Sequence, residues 1–312
     1  MTCKLMFIGH VSIDRVENQQ GVKEQAGGAA LYAAIAAKTL LKNVTLVSAI
    51  GKDFKFMDTL KLLGSNHIKT FNIPSTTFNI RYNQFGEAEY LKASYGAGSK
   101  LAASAIRTHL LTPETIVHIS PLRPLKVEKI VAKIRKISPK TRISINTWIG
   151  YINRSQKNRK ILKNLAREAD FFILNDHEAK ALTKTDTIST ALTLLKSKML
   201  IITLGNIGAI TSERGMGVQM IPALHTPGRD VIDTTGAGDV WCGAFLASFQ
   251  LTEDLLKSVT IASILSGIKC SAWNFQKLIN LRFRNPDEVI EYVIGLKEGA
   301  VQKKISDYRT YR

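Results

Sequence analysis

Six short apolar runs, each ending in a turn, recur along this chain with amphipathic stretches between them, and that alternation excludes most architectures. Leu5–Gly9, Val44–Ile50, Ile116–Ser120, Arg142–Asn146, Phe171–Asn175 and Met199–Leu204 are rich in Val, Ile, Leu or Phe, as strands buried on both faces are. Helical periods fill most of the intervals, at Ala29–Leu41, Lys126–Ile137, Gln156–Glu168 and Ile188–Leu195. Parallel strands need long crossovers, and crossovers are usually helices. The pattern therefore predicts an α/β chain with a mostly parallel sheet covered on both faces, a three-layer α/β/α sandwich. A length of 312 residues suits one such domain, 1–312, with a small accessory piece.

Two segments break the alternation. Residues 11–25 are polar around Gly21, and residues 68–93 alternate Thr, Tyr, Asn and Phe around Pro74 and Gly86. Both read as hairpin-type strands, inserted near the carboxyl ends of early parallel strands to form a β lid over the ligand crevice. An exposed edge on such a lid invites pairing with a second copy, so a homodimer through the lid is an expectation. The last third reads as helices at Gly236–Phe249, Asp254–Cys270 and Pro286–Leu296, the last opened by Asn285 as N-cap and Pro286 at the first helical position. The tail after Val301 is polar and expected to fray.

Composition narrows the function classes. Cys3, Cys242 and Cys270 are far apart with no C-x-x-C pair, so neither a disulfide framework nor a zinc site is indicated, and a reducing cytoplasm fits. No run approaches the roughly 20 apolar residues of a membrane helix. The net charge of +18 is unusual, and fourteen Lys/Arg against two acidic residues lie between Pro121 and Glu168. Such a face attracts polyanions, so a non-catalytic nucleic-acid-binding protein using residues 121–168 is one alternative. Apolar residues at helical spacing, Val127, Ile130, Val131, Ile134 and Ile137, then Ile161, Leu162 and Leu165, instead make these charges the solvated sides of two packed helices, and nucleic acid is set aside as a partner.

The chemistry concentrates in Asp233-Thr-Thr-Gly-Ala-Gly-Asp239, followed by a helical stretch with small residues at Gly243, Ala244 and Ala247. A Gly236-Ala237-Gly238 turn opening a helix leaves backbone N–H groups free to hold a phosphate. An acid beside a phosphate is repelled unless it has a task, and in phosphoryl transfer that task is to take the proton of the attacking hydroxyl. Asp239 fits that role. Taken singly, Asp233 and Asp239 also read as a turn acid and a first-turn acid.

The string at 233–239 resembles the C-terminal signature of the ribokinase-like (PfkB) kinases, a family that includes ribokinase, adenosine kinase, fructokinase and archaeal inositol and nucleoside kinases. Other matches follow in the family's order from residue 5 to about residue 272. Asp14 resembles the acid that holds substrate hydroxyls, and Gly27-Gly28 the glycine pair beneath the substrate. Asn175-Asp-His-Glu178 resembles the motif that organises Mg²⁺ through water. Thr203, Gly205 and Gly208 resemble the stretch lining the ATP site, which Thr235 joins. The resemblance implies a ribokinase-like fold, Mg·ATP, in-line transfer to a sugar, polyol or nucleoside hydroxyl, and a monovalent cation beside Asp233. ATP as donor is the family's majority habit.

Departures mark a divergent, archaeal-type branch. Tyr32 stands where the family carries Asn, and reads as a ring able to stack on a base or close over a sugar. Ser144-Ile-Asn146-Thr-Trp148 lacks the acid and base of the usual Asp-x-Asn-x-Arg, and Phe56 replaces the last Gly of the motif begun by Gly51-Lys-Asp53. Arg81, on the expected lid with Tyr82, Asn83, Glu87 and Tyr90, is a further candidate substrate contact. A P-loop, a dinucleotide fingerprint, an H-E-x-x-H zinc site and a G-x-S-x-G elbow are all missing from the sequence. A sugar or polyol kinase is the first reading, with a nucleoside kinase of the same fold as its alternative.

Overall fold

A computed structural model of the chain describes residues 4–64, 66–84, 86–224 and 230–309. In chain order the strands are β1 (Lys4–Ile8), β2 (Ser12–Asn18), β3 (Gly21–Gly27), β4 (Val44–Gly51), β5 (Ile68–Phe71), β6 (Thr76–Tyr82), β7 (Ala88–Ser94), β8 (Thr115–Ile119), β9 (Arg142–Asn146), β10 (Phe171–Asn175), β11 (Met199–Thr203), β12 (Gly208–Glu213) and β13 (Gly217–Pro222). The helices are α1 (Ala29–Lys38), α2 (Met57–Lys61), α3 (Pro124–Ile137), α4 (Ile149–Arg154), α5 (Gln156–Glu168), α6 (Asp176–Thr183), α7 (Ile188–Leu194), α8 (Ala237–Thr252), α9 (Leu255–Cys270) and α10 (Pro286–Arg309).

All six expected strands enter one nine-stranded sheet, ordered β13-β12-β11-β10-β9-β8-β1-β4-β5. Pairing is parallel from β5 to β11, and the β12 and β13 hairpin is antiparallel. Side chains alternate across it as a two-sided sheet requires. Leu5, Phe7, Leu46, Ile173 and Ile201 pack against α1, α8, α9 and α10. Met6, Ile8, Val47, Phe172 and Ile202 pack against α3, α5, α6 and α7. The expected three layers are present, and the basic residues of α3 and α5 flank buried Val127, Ile130, Ile134, Ile161, Leu162 and Leu165. Among the described residues no helix is long and apolar enough to cross a membrane.

β1 is the switch point. The chain runs from it to β4 and β5 on one side and later resumes at β8 on the other, opening a crevice at the carboxyl ends of the strands. A second sheet, ordered β3-β2-β6-β7 with β2 and β6 parallel, stands over that crevice. The expected lid segment 68–93 needs correction here. Ile68–Phe71 pairs with β4 in the main sheet, because half-buried Ile68 and Phe71 each reach one of the two cores, and only β6 and β7 join the small sheet. The last helix also runs past its expected end at Leu296, to Arg309, after Asn285 caps it by accepting from the Glu288 N–H at 3.1 Å.

α1 and α8 pack closely. A Cβ on Gly243 would lie 2.0 Å from the carbonyl oxygen of Ala33, a backbone atom that cannot swing away. Gly243→Ala is expected to lower unfolding free energy by about 1–3 kcal/mol in urea titrations. Gly295→Ala, where a Cβ meets nothing within 4 Å in α10, should be neutral or stabilising by up to about 1 kcal/mol.

Candidate active site

A cleft of about 840 Å³ lies at the carboxyl ends of β1, β9, β10 and β11, between the two sheets. Its floor is the start of α8. Gly236, the N-cap, has a left-handed backbone (φ 73°), and no side chain caps the helix. A Cβ there would also lie 2.4 Å from the Tyr32 ring, so the turn tolerates glycine alone. The uncapped N–H groups and the helix dipole make this floor a place for an anion.

Three carboxylates face the cleft. Asp239, in the first turn of α8, accepts from Asn146 Nδ2 at 3.2 Å. Desolvation raises its pKa to about 7 against the pull of that hydrogen bond. Asn146 in turn contacts His118, whose Nδ1 lies 3.0 Å from Ser144 Oγ and which burial holds neutral with a pKa of about 3. Asp14 accepts from Ser12 Oγ at 2.6 Å, and burial raises its pKa to about 7 as well. Its carboxylate explains the Gly27-Gly28 pair. A Cβ on Gly27 would fall 1.8 Å from Asp14 Oδ2, and one on Gly28 (φ 102°) would fall 2.3 Å from the His10 carbonyl oxygen.

Glu178 is buried, not a solvated first-turn acid. Asn175 caps α6 by accepting from the Glu178 N–H at 2.8 Å, while Glu178 Oε2 accepts from the Asn175 N–H at 3.0 Å. This reciprocal capping box aims a carboxylate from the end of β10 into the cleft. Burial, with the Asp239 charge adding to it, raises the Glu178 pKa to about 8. Among the described residues no group of three or more His, Cys, Asp and Glu could cage a metal ion. A carboxylate and an amide beside phosphates still fit Mg²⁺, which keeps several waters and takes few protein ligands.

Asp233 and Thr235 lie in the loop before α8. Thr235 N–H donates to Asp233 Oδ1 at 2.8 Å, and Tyr82 of the small sheet lines the same cleft as Thr234 and Thr235. At the position expected to neighbour a cation, Lys269 Nζ stands 3.1 Å from Asp233 Oδ2.

One wall was not legible as a unit. Tyr90 and Trp148 meet edge-on at 5.0 Å, Trp148 and Tyr151 at 5.4 Å, and Tyr95 and Tyr151 stack at 6.2 Å. These four rings line the cleft, and Trp148 Nε1 is buried without a partner. His10, also lining the cleft, has its pKa lowered by burial to about 4.

Some expected contacts fall elsewhere. Tyr32 lines the floor of the cleft, but its ring is covered by its neighbours. It is 1% exposed, packed 4.5 Å from Phe275 beneath Gly236, with its hydroxyl accepting from Gln25 Nε2 at 3.2 Å. Arg81 is exposed outside the cleft, paired at 3.4 Å with Glu17. Thr203 lines the cleft, whereas Gly205 and Gly208 shape the turn between β11 and β12.

A doubly covered parallel sheet, with a small sheet over an uncapped helix start, is the ribokinase-like fold. The chain superimposes with a TM-score of 0.75 on the fructokinase double mutant of Vibrio cholerae O395 bound to fructose, ADP and potassium ion, at 17% identity, over 94% of this chain and 99% of that one. Residues 3–277 match the pfkB family carbohydrate kinase, and the chain belongs to that family. It is thus a phosphotransferase with a hydroxyl acceptor. It is 26% identical over 266 residues to a cytidine kinase of Thermococcus kodakarensis, covering 82% of this chain and 92% of that protein. Over 290 residues it is 26% identical to a ribokinase of Lactococcus lactis, covering 84% and 90%.

Glu178 carries a consequence for stability. Its folded pKa lies above the ordinary 4.5, at about 8, so its contribution is full below pH 4.5 and is lost as pH rises through about 8. Glu178→Gln preserves the capping geometry and removes the loss. It should melt with the wild type at pH 4.5 and roughly 5 °C above it at pH 9. Equal melting curves at pH 9 would show that the carboxylate is not strained.

Proposed function

We propose that the protein is an Mg·ATP-dependent nucleoside kinase that phosphorylates a ribose hydroxyl, with Asp239 as general base. The observation that carries this reading is the aromatic wall of Tyr90, Tyr95, Trp148 and Tyr151, in the same cleft as Asp14 and Asp239. Aromatic faces suit a planar base. Asp14, an acceptor at the foot of the cleft, suits vicinal ribose hydroxyls. The likeness to a cytidine kinase supports the same class. A free sugar or polyol, favoured first on sequence, would engage Asp14 equally and leave the rings without a stacking partner.

In this reading the turn Gly236-Ala237-Gly238 and the dipole of α8 hold the phosphates, with Thr203 and Thr235 beside them. The substrate hydroxyl oxygen attacks the γ-phosphorus, its proton passes to the Asp239 carboxylate, and ADP departs with the bridging oxygen. Asn146 fixes the carboxylate that takes the proton. Glu178 and Asn175 would hold Mg²⁺, which would supply charge neutralisation at the phosphates.

A coupled ADP-release assay across cytidine, adenosine, inosine, ribose, fructose and myo-inositol tests the class. Turnover with nucleosides and none with free sugars is expected, and the reverse pattern would replace the nucleoside by a sugar. Trp148→Ala should raise KM for the nucleoside about 5–150-fold, the worth of one stacked base, with kcat less affected. Asp239→Asn should lower kcat about 10²–10⁴-fold with ATP affinity nearly intact. Since the ionised form is the base, wild-type kcat/KM should climb through about pH 7 and then level. An unchanged rate in Asp239→Asn would remove it from the mechanism.

A further inference from the structure

The surroundings of Asp233 are built for an ammonium group, not for a free ion. Lys269, at the end of α9, has a side chain with 0% exposure, as has Asp233. Its Nζ donates to the Asp233 carbonyl oxygen at 2.6 Å, lies 3.1 Å from Oδ2, and stands 5.6 Å from the centre of the Tyr32 ring. Two oxygens and a π-face surround the ammonium.

The remaining lone pairs of the carboxylate are also taken by donors. Thr235 N–H reaches Oδ1 at 2.8 Å, and Asn274 N–H and Gln25 Nε2 reach Oδ2 at 3.1 and 3.4 Å. A bare cation needs converging oxygens, and here N–H groups converge on them. Burial pulls the Lys269 pKa below the ordinary lysine value against the opposing Asp233 charge. Burial also works against the Asp233 carboxylate, but Lys269 and the hydrogen bonds outweigh it and hold its pKa low. A buried charge persists where it is paired and hydrogen-bonded in this way.

The pair is wired to the phosphate turn. The Ile232 and Asp233 N–H groups both donate to the Cys270 carbonyl, at 2.8 and 3.1 Å, so the end of α9 grips the loop that leads through Thr235 into Gly236. The Lys269 charge also sits at the negative end of its own helix dipole.

We propose that Lys269 is a positioning residue whose ammonium takes the place of the monovalent cation expected beside Asp233, so that the phosphate turn is ordered without potassium. The inference rests on the reading of the α8 start as a nucleotide phosphate site. A second cation at Asp233 would meet a like charge across a dry interior, which repels it.

Mg·ATP binding by calorimetry and thermal melting, each in choline, potassium and ammonium chloride at equal ionic strength, test this without any phosphoryl acceptor. For the wild type, affinity should agree within about twofold across the salts, and Tm should not move. Potassium raising wild-type affinity or Tm above the choline values would overturn the proposal. Lys269→Ala should bind Mg·ATP at least about tenfold more weakly in choline, the worth of a charge-assisted hydrogen bond, and recover in potassium or ammonium. Lys269→Met binding as tightly as wild type in choline would show the charge to be dispensable and would also overturn it. Should neither variant fold, the wild-type salt comparison decides alone. Silence across the acceptor panel leaves these readouts intact, and absence of Mg·ATP binding in every salt would sink the kinase reading while Tm still tests Lys269.

Discussion

Helix α8 has to begin on backbone alone. A side-chain cap would satisfy its first N–H groups, and none is present, so the turn at Gly236 is left open at the carboxyl ends of the strands. An uncapped helix start is weak by itself, and the structure secures it from behind. Tyr32 of α1 lies directly under Gly236, and Gly243 lets α1 approach α8 to backbone contact. The Asp233–Lys269 pair fastens the entering loop to α9. The surrounding helix layer thus backs a turn whose own hydrogen bonds are few, Thr235 N–H to Asp233 Oδ1 at 2.8 Å and Ala237 N–H to the Thr234 carbonyl at 3.0 Å.

Charge in the cleft follows the same logic. Asp14, Glu178 and Asp239 are each held with pKa values raised by burial to about 7, 8 and 7. Their mutual repulsion adds to this, since Asp239 raises both of the others. Such a cluster costs stability in the free protein and is relieved by the cations and hydroxyl donors that a phosphoryl-transfer site receives. The opposite arrangement occurs at Asp233, where an internal cation and three N–H donors hold the pKa low. The acids facing the cleft have few partners, whereas the Asp233 carboxylate is surrounded by donors.

Legibility in the sequence followed how local the signal was. The strands from Leu5, Val44, Ile116, Arg142, Phe171 and Met199 were readable because burial on both faces enriches them in Val, Ile, Leu and Phe. β5 was misassigned because four residues with two polar ones at its centre look like any edge hairpin. Asp239, Asp14, Gly27 and Gly28 were readable as strings, and the contacts at Gly27 and Gly28 now give physical reasons for two of those glycines. Glu178 carried a second signal, Asn three residues before Glu, which is a capping box as well as a metal-site motif. The aromatic wall had no such signature. Its rings come from β7, the segment after it, the end of β9 and α4, and only the tertiary fold brings them together. Tyr32 was misjudged for the same reason, since nothing local announces that Gly236 and Phe275 cover its faces. Lys269 reads as one more basic residue of a helix until Asp233, 36 residues earlier, is placed beside it.

The small sheet spans the cleft from its aromatic wall to the start of α8. Tyr90 on β7 supplies part of the aromatic wall, while Tyr82 on the neighbouring β6 lines the cleft together with Thr234 and Thr235 beside the α8 turn. β2 of the same sheet carries Asp14, and β3 carries Gln25, which donates to both Tyr32 and Asp233. One sheet of four strands therefore contacts the base-sized wall, the hydroxyl acceptor and the loop that enters the phosphate turn. A displacement of that sheet would alter all three together. In a kinase such shared contacts would let a seated acceptor help to exclude water from the transferring phosphoryl group.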